Sequence, residues 1–497
     1  MMIMKSNRVF SRRIRENTVK IVATLGPASE SKKMLKELIN IGVDIFRLNF
    51  SHGTHDEKRD LVKRIREIDE YIGIMCDIQG PKIRVGNFQD NKAFNLNIGD
   101  EIRVYEKDIV GDQEQFSIPL VGFLNSVSKG DVFFVNDGII KIRIKKKERD
   151  HVVGEVLAGG IISNRKGVNI PRGELSQRVP TEKDIKDLEL IAELNPEYVA
   201  ISFVSSGADV LHVKRLLENY GNSNIKLISK IERPIALENF DNILEVSDGI
   251  MVARGDLGVE ISPDQVPVKQ KEMIKKCNRE GKPVIVATQM LESMVNSSIP
   301  TRAEANDVFN AVLDGTDAVM LSAETAVGNY PLNAVDYMNK IAFTATQNMQ
   351  KRIPDEYDSD RLIHTQVLGH AIHSLTTEME DLNFRGKILV LTRGGFGARM
   401  IAKYRPPLPI IAITPNKKTA REMNLLWAVQ PIHIENIDFF HLDAETIIEQ
   451  SVKHAVEKGV LDENEHVVIL LVSRKFQKRG NLVGFYYVGE ILEGKTN

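Results

Sequence analysis

The sequence predicts an α/β chain: a closed (β/α)8 barrel, a small β-barrel lid domain inserted into it, and an open α/β sheet domain at the C-terminal end. Three observations predict this. Eight short apolar runs alternate with amphipathic helical stretches, a long segment after the third run carries only strand and turn signals, and a new strand-helix alternation begins near residue 350. A chain of 497 residues with 42% hydrophobic content has material for about three domains.

The first four runs are "KIVATLGPAS" (20–29), "VDIFRLNFS" (43–51), "IGIMCDIQG" (72–80) and "EYVAISFV" (197–204). The next four are "IKLISKIE" (225–232), "GIMVARGD" (249–256), "KPVIVATQM" (282–290) and "DAVMLSAET" (317–325), separated by stretches such as "DQVPVKQKEMIKKCNRE" (264–280). Strands of a parallel barrel are covered on both faces, so they read as near-continuous apolar runs. Residues 18–84 and 173–349 are therefore assigned to the barrel. Between them, residues 85–172 hold "GDEIRVY", "GDVFFVNDGIIKIRI" and "HVVGEVLAGG", β-formers between Gly-Asp and Asn-Asp-Gly turns, the pattern of an all-β lid over the barrel mouth. The third domain, 350–497, alternates "GKILVLT", "LPIIAIT" and "EHVVILLVS" with helical stretches and is entered through the charged linker "QKRIPDEYDSDR" (350–361).

Lys plus Arg (66) nearly balances Asp plus Glu (68), so no global field gathers nucleic acid or anionic lipid. Two cysteines, Cys76 and Cys277, do not make a disulfide framework, and no apolar run reaches the roughly 18 residues of a membrane span. The chain is expected to be cytoplasmic, with no nucleic-acid or membrane partner. Its basic start, residues 1–17, lacks a continuous apolar core and a small-residue cleavage site, and reads as a tail.

Polar residues at the C-terminal ends of barrel strands converge on one face. Here those ends carry Arg47, Asn49, Ser51, Asp77, Lys230, Glu232, Asp256, Thr288, Ser322 and Glu324. Any one Lys-x-Glu or Gly-Asp pair is usually a solvated strand end; their recurrence at six of the eight ends is what points to a site. Lys230 and Glu232 are two apart on one strand and point the same way. Glu232 and Asp256, on adjacent strands, suit one Mg²⁺ (or Mn²⁺), which takes one or two carboxylates plus substrate oxygens. A lysine beside that ion suits a phosphoryl group in transfer. Ser322 and Glu324 read equally as ligands or as residues that brace ligands, Asp137 in "VNDG" reads as a turn residue, and Cys76 as core.

"TLGPAS", "FRLNFSHGTH", "SKIE", "SDGIMVARGDLGVEI", "ATQMLESM" and "TRAEANDVFNAVLDGTDAVMLSAETAVGNYPLNAV", in that order along the chain, resemble the pyruvate kinase family. The resemblance implies a homotetramer that passes the phosphoryl group of phosphoenolpyruvate to ADP, giving ATP and pyruvate. It implies that Lys230, assisted by Arg47, neutralises the transferring group, that Glu232 and Asp256 hold Mg²⁺, and that Thr288 lies by the enolate carbon. Backbone N–H groups around Ala253, Gly255 and Asp256 would take the substrate carboxylate. Asn49, His52, Arg84 and Lys166 would contact nucleotide.

Asn49, Ser51, Asp77 and Ile78 stand where many relatives bind an essential K⁺. Where those enzymes resemble "DTKGPEIRT", this chain has "DIQGPKIRV", with Lys82 in place of a glutamate. That exchange moves the local charge by two units, each worth about 3 kcal/mol at ~5 Å and an effective dielectric of 20. Lys82 is thus expected to supply the monovalent charge covalently, leaving at most a vestigial or optional K⁺ site; the opposing reading leaves Lys82 in solvent and K⁺ in place.

Relatives that bind a sugar bisphosphate resemble "T-x-S-G-x-S-A" in the C-terminal domain, whereas this chain reads "TRGGFGAR" (392–399). Thr392 is kept, Gly394 and Gly397 replace the hydroxyl donors, and Trp427, the only tryptophan, lies away from "SRKFQKRGN" (473–481). Thr392, Arg393, Gly394, Gly395, Gly397, Arg474, Lys475, Lys478 and Arg479 are the effector candidates, for no activator or for a different phosphorylated one such as a sugar monophosphate or nucleotide. Two other functions compete: a non-catalytic metabolite sensor, which should have lost Lys230 or a metal carboxylate, and another phosphoenolpyruvate-handling barrel enzyme, a lyase or phosphomutase, which would not need "RKGVNI" (165–170).

Overall fold

A computed structural model describes residues 18–493 apart from 137, 171–178, 350–362, 436, 438–441 and 474–479. The tail 1–17, the linker 350–361 and Asp137 therefore lie outside the described residues, as do Arg474, Lys475, Lys478 and Arg479. The eight apolar runs become eight parallel strands, Lys20–Thr24, Ile45–Asn49, Gly73–Ile78, Tyr198–Ile201, Lys226–Ile231, Gly249–Ala253, Val284–Ala287 and Ala318–Leu321. They pair in chain order and close when Lys20 meets Ala318.

Alternation along these strands splits the apolar residues between two cores. Val22, Ile45, Met75, Ala200, Ile228, Met251, Ile285 and Met320 fill the barrel, and Leu425 of the C-terminal domain joins them. The opposite faces pack against the surrounding helices in a larger cluster containing Ile21, Phe46, Cys76 and Ile78. Sequence-local signals start those helices: Thr54 with Glu57, and Thr301 with Glu304, form reciprocal capping boxes. Both cysteines are buried and unpaired.

The lid strands hydrogen-bond as a six-stranded sheet and a two-stranded sheet around one core, rather than as one closed ring. Its two connections to the barrel run side by side, with Val85 N–H donating to Lys166 (2.9 Å) and Val168 N–H to Ile83 (3.0 Å). Below them the buried Asp184, in the capping box of helix Glu182–Leu194, takes N–H groups from both connections: Gly80 at 3.1 Å and Thr181 at 2.8 Å. Gly80 has φ +65 and its missing Cβ would lie 2.8 Å from the Ser202 carbonyl oxygen, so only glycine fits that turn. On its far side the lid touches the barrel where Asn169 donates to Glu260 (3.2 Å).

The C-terminal domain is a five-stranded sheet, parallel except for its last strand, Gly480–Tyr487. It is pinned beneath the barrel by buried polar contacts: Arg405 with Asp317 at 3.0 Å, Lys20 Nζ with the Val429 carbonyl at 2.7 Å, and the Tyr198 hydroxyl with the Glu422 carbonyl. Trp427 is buried there, under the Arg405 guanidinium. Among the described residues no helix is long and apolar enough to cross a membrane.

Candidate active site

The strand ends bring together a connected set of charges. Arg47 Nε donates to Asp77 Oδ2 at 2.7 Å and Arg47 NH1 to Thr24 Oγ1 at 3.0 Å. Asp77 Oδ1 receives Ser202 Oγ at 3.2 Å and faces Lys230 Nζ at 3.4 Å. Lys230 Nζ also donates to Ser202 Oγ at 2.7 Å and lies 2.9 Å from Glu232 Oε1. The second Glu232 oxygen accepts the Phe203 N–H at 2.6 Å. Arg47, Asp77, Lys230 and Glu232 are all buried.

Pairing decides their protonation. Burial opposes the charge of Asp77, yet Arg47 and Lys230 outweigh it and hold the carboxyl below the usual range. Burial likewise works against the Lys230 ammonium, but Asp77 and then Glu232 keep it above the ordinary lysine value. Glu232 goes the other way: burial pushes its carboxyl up, and Asp256 adds to this against the pull of Lys230.

The next two strands supply Asp256 and Thr288. Asp256 Oδ1 pairs with Lys82 Nζ at 3.2 Å, both half-buried, so Lys82 turns into the site and not into solvent. Gly255 N–H donates to Thr288 Oγ1 at 2.7 Å, which occupies one of the backbone donors expected for the substrate carboxylate next to Ala253. Thr288 and Gln289 have φ +67 and +54. A β-branched residue held there is strained, and such strain concentrates at sites whose surroundings fix it. Arg254 supplies that fixing, donating to the Thr288 and Gln289 carbonyls and to Asp307. Glu324 accepts N–H groups from Leu291 and Ser322, so it braces backbone.

Glu232 Oε1 is buried without a hydrogen bond of acceptable direction, although the Lys230 ammonium is near. A desolvated carboxylate oxygen with an unfilled direction, and a second carboxylate on the neighbouring strand, fit a hard divalent cation that draws its other ligands from substrate and water. Among the described residues no cluster of three or more His, Cys, Asp or Glu forms an all-protein metal cage.

The proposed monovalent-cation residues sit differently. Asn49 Oδ1 accepts the Ser51 N–H at 3.0 Å, Ile78 is core, and both Asp77 carboxylate oxygens face Arg47, Ser202 or Lys230. Lys82 does not join this group; its partner is Asp256. Beside it lies a basic cluster: burial, with Arg84, Lys58 and Arg47 nearby, pushes the His52 imidazole below its ordinary value. Arg84 and Lys166 lie on the facing chains of the lid connection, Arg84 NH1 donating to the Arg165 carbonyl at 2.9 Å. A cavity of about 480 Å³ opens there, lined by Lys82, Arg84, Arg165 and Lys183 among others.

Ser202, Arg254 and Asp184 are the residues that sequence reasoning missed. Ser202 follows an apolar run as the chosen residues do, and that position was its available signal. In the C-terminal domain, Thr392 is buried, Gly395 has φ +74 at the start of helix Phe396–Ala402, and a side chain at Gly394 would meet open space.

A parallel barrel that gathers Arg47, Lys230 and Lys82 against Asp77, Glu232 and Asp256 at one mouth belongs to the class of barrel enzymes that handle anionic substrates. The pyruvate kinase barrel domain model matches residues 16–335 and the pyruvate kinase alpha/beta domain model residues 370–481. Pyruvate kinases of Staphylococcus aureus strains MRSA252 and USA300 are each 41% identical over 460 residues, covering 90% of this chain and 77% of theirs. The chain belongs to the pyruvate kinase family and is a phosphotransferase.

Proposed function

We propose that this chain transfers the phosphoryl group of phosphoenolpyruvate to ADP at the barrel mouth. The observation that carries the assignment is the buried Lys230, held between Asp77 and Glu232 with its ammonium kept charged. An ADP β-phosphate oxygen forms the new P–O bond, the bond from phosphorus to the enol oxygen breaks, and the enolate left behind takes one proton at carbon to give pyruvate. Lys230 and Arg47 balance the charge that moves during transfer. Thr288, fixed over the site, places a hydroxyl where a water can deliver the proton. Glu232 and Asp256 would hold Mg²⁺ or Mn²⁺, which when bound supplies Lewis-acid charge to the phosphoryl and substrate oxygens. The cations His52, Arg84 and Lys166 and the amide of Asn49 serve the nucleotide.

Retention of Lys230, Glu232 and Asp256 disfavours a non-catalytic sensor, and the basic cluster at the lid connection disfavours a lyase or phosphomutase. No K⁺ is required in this reading: the Asp77 carboxylate already has cationic partners, and Lys82 adds a fixed charge nearby. A cytoplasmic homotetramer whose C-terminal domain takes a phosphorylated effector completes it, supported by the family and by two buried, unpaired cysteines. A coupled assay for pyruvate from phosphoenolpyruvate and ADP tests the assignment. Lys230→Met should lower turnover by about 100-fold or more while leaving the fold intact; normal turnover in that variant would contradict it.

A further inference from the structure

The pairing of Lys82 with Asp256 has a consequence for the divalent ion. Lys82 leaves the barrel on the tight turn Gly80–Pro81–Lys82, where its N–H donates to the Gly80 carbonyl at 2.9 Å. The turn is anchored by Asp184 and continues directly into the lid. From there the Lys82 ammonium reaches a different strand end and sits 3.2 Å from Asp256 Oδ1, with 28% and 22% of the two side chains exposed. The other carboxylate of the pair is also held by a lysine, Glu232 Oε1 by Lys230 at 2.9 Å.

Resting on the assignment of Glu232 and Asp256 as metal ligands, we propose that Lys82 competes with the divalent cation for Asp256. Lys82 thereby weakens metal binding to the enzyme alone and couples it to binding of the phosphorylated substrate. The cause is electrostatic. A cation approaching Asp256 must displace an ammonium from one oxygen or share the carboxylate with it, and the two positive charges repel at short range. An anionic phosphoryl group or carboxylate entering beside them gives Lys82 a new counter-ion and releases Asp256. Metal and substrate then bind each other's vacated partners, which is positive coupling between two sites and acts in both directions. Lys230 and Glu232 form a second such pair, but Lys230 retains Asp77 and Ser202 when Glu232 is drawn away, so its loss is smaller. Among the described residues no second carboxylate pairs with Lys82, and its position on the lid connection makes the exchange sensitive to lid position.

Mn²⁺ binding to the full-length protein, followed by the electron paramagnetic resonance signal of the free ion, tests this without turnover. In the absence of phosphoenolpyruvate, Lys82→Gln should bind Mn²⁺ about tenfold more tightly than the wild type, the scale of a half-buried pair between exposed and fully buried cases. Saturating phosphoenolpyruvate without ADP should tighten binding strongly in the wild type and much less in Lys82→Gln. Lys82→Arg, which keeps the charge, should stay near the wild type. Equal Mn²⁺ affinity in Lys82→Gln and wild type, or tightening in Lys82→Arg equal to that in Lys82→Gln, would overturn the proposal. Asp256→Asn separates the two levels: its loss of Mn²⁺ binding upholds the metal assignment whatever Lys82 does, and its retention removes that assignment and the competition with it.

Discussion

Replacing Asp77 with asparagine keeps the shape of the side chain and removes its charge, leaving Arg47 and Lys230 buried beside a neutral amide. At 2.7 Å and an effective dielectric of about 20, the Arg47–Asp77 attraction alone is worth about 6 kcal/mol before desolvation is subtracted. Removing one partner of such a buried pair costs about 3–5 kcal/mol net, because the remaining charges stay desolvated. Both side chains are nearly inaccessible, 11% and 2% exposed, so solvent cannot soften the loss. Urea unfolding at neutral pH should show Asp77→Asn less stable by that amount. Steady-state kinetics should show a raised KM for phosphoenolpyruvate as Arg47 loses its orientation, and a lower kcat as Lys230 loses one of its two carboxylate partners. The acid limb should change as well. Asp77 has a depressed folded-state pKa, so its contribution is present above the unfolded value near 3.9 and disappears as pH falls through the folded one; the asparagine variant should lack that part of the acid dependence. A variant within ~1 kcal/mol of wild type, with KM unchanged, would refute the claim that Asp77 balances these two cations.

Turnover in K⁺-free tetramethylammonium buffer should fall within about twofold of turnover in K⁺, and Lys82→Glu should acquire K⁺ dependence; a wild-type activation of about tenfold or more by K⁺ would count against a fixed lysine charge. Titrating fructose 1,6-bisphosphate, glucose 6-phosphate and AMP at half-saturating phosphoenolpyruvate should show no bisphosphate activation, since Gly394 and Gly397 offer no hydroxyls. Strong bisphosphate activation that vanishes in an Arg474 and Arg479 double substitution would show that other donors replace them. Gly80→Ala should destabilise the chain and raise KM, because the new Cβ would press on the Ser202 carbonyl 2.8 Å away; wild-type stability and kinetics there would mean the turn is not tied to the site.

The barrel was legible because its constraint is repetitive. Eight strands buried on both faces need eight continuous apolar runs, and closure then places whatever follows each run at one mouth. Arg47, Asp77, Lys230, Glu232, Asp256 and Thr288 could be chosen by position alone. Ser202 occupies the same position but is a small neutral residue, and only the geometry shows that it joins Asp77 to Lys230. Leu425 was illegible for a different reason: one leucine in "NLLWAV" carries no period that marks it as the side chain joining another domain's core. Two strands of the C-terminal sheet, Val429–His433 and Gly480–Tyr487, were also missed, and both are edges. The first contains Pro431, which lowers a strand reading by pattern but is tolerated where one side of the strand needs no partner.

Under the proposed function, the charges at the mouth give a reason for the site to answer to an anion and a cation together. Arg47 is matched by Asp77, Lys230 by Asp77 and Glu232, and Lys82 by Asp256, so each of these three cations already has an acid. An uncompensated charge in such a place costs several kcal/mol, on the order of that for breaking a buried pair. A lone divalent ion would displace Lys82 from Asp256 and leave it unmatched, while Lys230 would keep only Asp77, and a lone phosphorylated anion would draw the lysines and leave Glu232 and Asp256 unmatched. In the proposed reading, the two arriving together would exchange partners with what is already there: the anion would take the lysines, the cation would take Glu232 and Asp256, and no charge would be stranded. A neutral analogue of the substrate has nothing to exchange, so it is rejected by the pairs themselves before shape is tested.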